Sequence, residues 1–99
     1  MLIVRCIIEY TKVILYTHHK LSMNIKEKVG KRLRELRVER GFSQEKFSFE
    51  CGLDRTYIAS IEQGKRNVSI VNIEKIVKAL NISISDFFNS IIFSVDGNS

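Results

Sequence analysis

Ninety-nine residues with 44% hydrophobic side chains make one small domain, whose core is marginal unless it is tightly packed or completed by a second copy. A net charge of +5 favours an acidic partner, with nucleic acid ahead of a membrane surface. Ordinary apolar content without low-complexity runs excludes a disordered tail, while Cys6 and Cys51, lacking any Cys-x-x-Cys spacing, exclude a disulfide framework or zinc site and fit a reducing cytoplasm.

The chain contains no proline, so Gly and Asn carry all the punctuation, and the architecture that emerges is all-α, with five short helices joined by tight turns. Residues 1–22 stand apart from this scheme. Leu2, Ile3, Val4, Cys6, Ile7, Ile8, Val13, Ile14, Leu15 and Tyr16 form an apolar cluster broken by Arg5, Glu9 and Lys12. A membrane span needs about twenty apolar residues in a row and a signal peptide needs a basic start and a cleavage site. Neither is present, and the Val/Ile/Tyr content favours a strand over a helix. Met23 is an alternative start, which would make residues 1–22 an upstream extension; the other reading is an added arm packed on the domain or on a second subunit. His18-His19 lies in this segment without accompanying ligands, so no metal site and no cofactor is expected.

Residues 23–93 read as one domain. Asn24 with Glu27 three residues on forms a capping box, and a first helix follows with Ile25, Val29, Leu33 and Leu36 on one face, ending at Gly41. Lys26, Lys28, Lys31, Arg32 and Arg34 surround that face. Ser43 caps a very short second helix through Cys51, with Phe47 and Cys51 inward, small Ser48 where helices could cross closely, and Phe49 outward. Gln44, in its first turn, can offer its amide and neighbouring backbone N–H groups to a phosphate.

Gly52 then turns the chain into Asp54, the cap of a third helix, and two short helices joined by a Gly-containing turn are the signature of a helix-turn-helix. Leu53 and Ile58 fit a hydrophobic staple, and Ile58 and Ile61 share the inner side. Thr56, Ser60 and Gln63 share the outer side, with Arg55 at its entrance, and such a short, uncharged polar face suits hydrogen bonding to base edges. After Gly64, Lys65-Arg66-Asn67 make a basic loop suited to phosphates.

Ser69 caps a fourth helix with Ile70, Ile73, Ile76, Val77 and Leu80 as its core stripe, and Asn81 is a left-handed exit. Ser83 with Asp86 opens a fifth helix in which Ile84, Phe87, Phe88, Ile91 and Ile92 spread over a wide apolar arc. That arc exceeds what one small domain needs to cover its own core; it either packs against residues 1–22 or, the favoured reading, makes a homodimer interface. The tail, 94–99, should fray.

Gly41-Phe42-Ser43-Gln44-Glu45, Gly52-Leu53-Asp54-Arg55-Thr56-Tyr57-Ile58 and Ile61-Glu62-Gln63-Gly64-Lys65-Arg66-Asn67 together resemble the phage repressor and Cro-like (XRE-type) helix-turn-helix family over about residues 25–90. Within it, the chain looks most like the controller proteins of restriction–modification systems. The resemblance implies a five-helix, lambda-repressor-like domain that regulates transcription by binding a pseudo-palindromic double-stranded DNA operator as a homodimer. Recognition helices would then enter successive major grooves about 34 Å apart. Carried over position by position, it implies base reading by Arg55 and Thr56, with Tyr57 and Ser60 near base or backbone. It implies phosphate binding by Gln44, Gln63, Lys65, Arg66 and Asn67, and an internal salt bridge between Arg37 and Glu62. Cys51 and Ser48 depart from the leucine and alanine usual at those places, and the proline many relatives carry after the basic loop is missing.

A phage-type repressor or an antitoxin regulator is the alternative within DNA binding. A protein-interaction module that lost DNA binding would have shed its basic face, whereas residues 23–99 keep a net positive charge and a purely basic loop. No nucleophile or carboxylate pattern points to an enzyme, and no membrane or small-molecule partner is indicated.

Overall fold

The computed structural model describes residues 23–94, whose regular elements are all helices, with no strand among them. The questions raised by residues 1–22, by the alternative start and by the tail lie outside the described residues, save for Met23, Asn24 and Ser94 at their edges. In chain order the helices are α1 (Ile25–Glu39), α2 (Gln44–Cys51), α3 (Arg55–Glu62), α4 (Ile70–Leu80), α5 (Ile84–Phe88) and α6 (Ile91–Ser94).

Local chemistry explains where each helix starts and stops. Asn24 Oδ1 accepts from Glu27 N at 3.0 Å while Glu27 Oε1 accepts from Asn24 N at 3.2 Å, so two of the free donors of α1 are satisfied reciprocally. Ser43, Asp54, Ser69 and Ser83 cap the next four helices through their own side-chain oxygens, and Ser83 alone of these forms a reciprocal box, with Asp86. Gly52 (φ 71°) and Asn81 (φ 58°) take the left-handed exits from α2 and α4, conformations that Gly and Asn adopt at least cost.

The core is a single cluster. α1 lies against α3, and α2 contacts both α3 and α4, so α3 is held from two sides. Leu33, Phe47, Ile58, Ile61, Ile76, Leu80 and Phe87 fill the interior, and Cys51 closes it near the α2–α3 turn. Burial raises the Cys51 thiol above its ordinary range, as expected of a structural cysteine whose charged form has lost its water.

Three expectations need correction. Ile25 and Ile70, placed on the core stripes of their helices, are 60% and 67% exposed, because each is the first residue of its helix and lies beyond the edge of the core. Both instead line a shallow cleft of about 220 Å³ with Val29, Val68, Ile73 and Phe88. The single fifth helix is two pieces, α5 and α6, interrupted at Asn89 and Ser90. Arg32 takes up carbonyls at the break: its Nε donates to the Phe87 carbonyl at 2.7 Å and its Nη2 to the Asp86 carbonyl at 2.8 Å. Those are the carbonyls that Ser90 and Ile91 would use in a continuous helix. The break turns Phe87 and Ile92 fully into the protomer's own interior and leaves Ile84, Phe88 and Ile91 nearer the surface.

Candidate nucleic-acid interface

The third helix is locked before it is presented. Arg37, in the last turn of α1, donates from Nε to Glu62 Oε2 at 2.6 Å and from Nη2 to Glu62 Oε1 at 2.9 Å, a bidentate pair, and from Nη1 to the Phe42 carbonyl at 2.6 Å. The two side chains are only 10% and 3% exposed. The Arg37 guanidinium is held above its ordinary range, chiefly by the hydrogen bond to Glu62, and so stays charged. One arginine thus ties α1, the α1–α2 loop and the end of α3 together.

Gly30 sets the spacing of the same two helices. A Cβ there would lie 2.1 Å from the Ile61 carbonyl oxygen and 3.1 Å from that of Glu62, so only glycine lets α1 approach the end of α3 so closely. Sequence reasoning passed over this residue. Its signal was present, since a glycine inside a strong helical pattern costs about 1 kcal/mol and implies a packing reason.

On this platform the candidate contact residues divide by whether their side chains are already engaged. Arg55 and Thr56 stand exposed at the start of α3, and among the described residues neither side chain has a hydrogen-bond partner. Gln63, Lys65 and Asn67 are likewise exposed and uncommitted, at the other end of the helix and in the loop after it. The remaining four are engaged. Gln44 Nε2 donates to Glu62 Oε1 at 3.2 Å, which uses one of its two amide hydrogens, and its backbone N–H is one of the free donors of the α2 first turn. Ser60 Oγ donates to the Tyr57 carbonyl at 2.7 Å and accepts from Arg66 Nε at 2.9 Å. The Arg66 guanidinium stands 5.6 Å from the centre of the Tyr57 ring. Tyr57 also meets Asn72 of α4, whose Nδ2 donates to its hydroxyl at 3.1 Å. Asn72 had no mark in the sequence to set it apart.

The apolar residues assigned to a dimer contact are of two kinds. Phe87 and Ile92 belong to the protomer's interior, and Phe87 packs edge-on against Phe88 at 5.0 Å. Ile84, at 37% exposure, and the half-buried Phe88 and Ile91 are the ones that reach the surface. The described residues contain no group of His, Cys, Asp and Glu that could hold a metal ion, and no helix among them is long and apolar enough to cross a membrane.

A capped short helix, a left-handed glycine turn, a locked helix with a free polar end and a basic loop together define a helix-turn-helix protein. The family described as Helix-turn-helix matches residues 33–87, more than half of the chain, and the chain belongs to it, a family of DNA-binding transcriptional regulators. Within it the chain is similar to the control protein C.MunI of Mycoplasma sp, 51% identical over 69 residues that cover 69% of this chain and 93% of that one. It is also similar to the crystal structure of the restriction–modification controller protein C.AhdI from Aeromonas hydrophila, with 51% identity, a TM-score of 0.62, and coverage of 64% of this chain and 96% of the other. The tetramer of the controller protein C.Esp1396I in complex with its natural 35 base-pair operator matches at 35% identity and a TM-score of 0.67, over 75% of this chain and 97% of that chain.

Proposed function

We propose that the protein is the controller of a restriction–modification system, a transcriptional regulator that binds a pseudo-palindromic operator as a homodimer and acts on its own operon. The observation that carries this reading is the free end of α3. Arg55 and Thr56 are exposed and uncommitted on a helix that Arg37–Glu62 and Gly30 hold rigidly, as direct readout of base edges requires. Similarity to C.Esp1396I, solved on its operator, supports it.

In this account Arg55 pairs with a guanine edge and Thr56 reads beside it, while Tyr57 and Ser60 support them. Lys65, Arg66, Asn67, Gln63 and Gln44, through its amide and the α2 backbone N–H groups, take phosphates, setting position and much of the affinity. Two copies pair through the exposed parts of Ile84, Phe88 and Ile91, backed by Phe87 and Ile92. The protein works in the cytoplasm and has no catalytic role.

The direct test is retention of the DNA immediately upstream of the protein's own coding sequence in the presence of excess competitor DNA. Selective retention is expected. Equal retention of the upstream fragment and the competitor would contradict operator binding.

A further inference from the structure

Tyr57 and Ser60 of α3, Arg66 of the basic loop and Asn72 of α4 meet at one side of the recognition helix. Ser60 Oγ directs its proton to the Tyr57 carbonyl, which leaves its lone pairs for Arg66 Nε at 2.9 Å. The guanidinium stands within cation–π reach of the Tyr57 ring, and at the far edge of that ring Asn72 holds the hydroxyl. Tyr57, Ser60 and Asn72 are half-buried, whereas Arg66 is exposed. An exposed arginine in a surface loop ordinarily samples many rotamers, but here a hydrogen bond on one side and an aromatic face on another favour one orientation. Orientation decides what such a cation contributes. A freely moving charge adds similarly to the binding of every sequence, whereas one fixed relative to the recognition helix meets its phosphate only where the groove shape places it, and so favours sequences that adopt that shape.

We propose that Asn72, outside the helix-turn-helix, is a positioning residue for sequence recognition: it fixes the Tyr57 ring, the ring and Ser60 fix Arg66, and Arg66 meets the duplex in a single orientation. The proposal rests on the operator-binding role of α3 and adds to it a residue that acts without touching DNA.

The test uses the full chain and two readouts. In the DNA-free protein, Asn72→Ala should increase the motion of the Arg66 side chain, read by NMR relaxation at Nε, and Tyr57→Phe, which keeps the ring and removes the hydroxyl, should do the same. Ala keeps the helix, and the cap from Ser69 Oγ to the residue 72 backbone N–H survives the substitution. The second readout is affinity for duplexes that the wild-type protein enriches from a random pool, relative to unselected duplexes. Asn72→Ala should lower that ratio about threefold to tenfold, the size of one net hydrogen bond lost. In an Arg66→Ala background the same substitution should change the ratio by less than about twofold, because the two residues act in series.

An equal loss in both backgrounds would overturn the proposal, as would Arg66 relaxation unchanged by Asn72→Ala. Failure of the wild type to enrich any sequence would remove the operator-binding role and the recognition half of the proposal with it. The relaxation data would still separate that failure from a failure of Asn72 to order Arg66.

Discussion

Arg55 and Lys65 are both exposed cations, yet they should behave differently when removed. Arg55 stands at the first position of α3, where a guanidinium can make two hydrogen bonds to a guanine edge, so Arg55→Ala should cost about 1–3 kcal/mol in binding and relax the preference at that base pair. Lys65 lies in the loop beyond the helix, and Lys65→Ala should weaken binding to all duplexes alike and lower the slope of affinity against salt by about one. Titrations on selected and random duplexes at several salt concentrations would check both. Glu62 is a third case, because its loss strikes the platform and not the contact. Glu62→Ala leaves the Arg37 guanidinium buried without its carboxylate and removes the acceptor of Gln44, so unfolding in urea should show a loss of about 3–5 kcal/mol.

Among elements, the approach of α1 to α3 is the least tolerant. Gly30→Ala places a methyl group into the Ile61 carbonyl, and the helices must separate or tilt. Overpacking of this kind costs about 1–3 kcal/mol, and the same variant should lose operator affinity because the angle at which α3 is presented changes. Urea denaturation and anisotropy on one preparation would measure both. The elements themselves were largely legible in the sequence, because their punctuation is local: Asn24 with Glu27, Ser43, Asp54, Ser69, Asn81 and Ser83 with Asp86 all serve where their side chains suggest. What was not legible depends on residues far apart in the chain. Where the last helix divides into α5 and α6, two carbonyls are taken by Arg32, more than fifty positions earlier. Exposure of Ile25 and Ile70 reflects where the core ends, which periodicity does not reveal. The Arg37–Glu62 pairing came into view through family resemblance, since no local pattern links the two. The linkage of Asn72 to Arg66 through Tyr57 is again a matter of tertiary placement.

For the whole molecule, the break before α6 narrows the surface available for pairing. A dimer formed through Ile84, Phe88 and Ile91 buries side chains that are only partly exposed in the protomer, so contact must be close and removal of even two of them should matter. Ile84→Ser with Ile91→Ser should shift the protein toward monomer in sedimentation at micromolar concentration while the circular dichroism of the domain is retained. A wild-type protein that sediments as a monomer under those conditions would contradict the assignment.

Dimerisation and base reading meet in one observable, the arrangement of the preferred DNA sequence. Two recognition helices carried on a symmetric dimer must find their half-sites on the same side of the duplex, about 34 Å or one helical turn apart. Selection of bound duplexes from a random pool by the wild-type protein measures that arrangement directly. The account predicts enrichment of two inverted half-sites with centres about 10 base pairs apart, each containing a guanine whose selection is lost with Arg55→Ala. Enrichment of no sequence, or of a single half-site without its inverted mate, would contradict it.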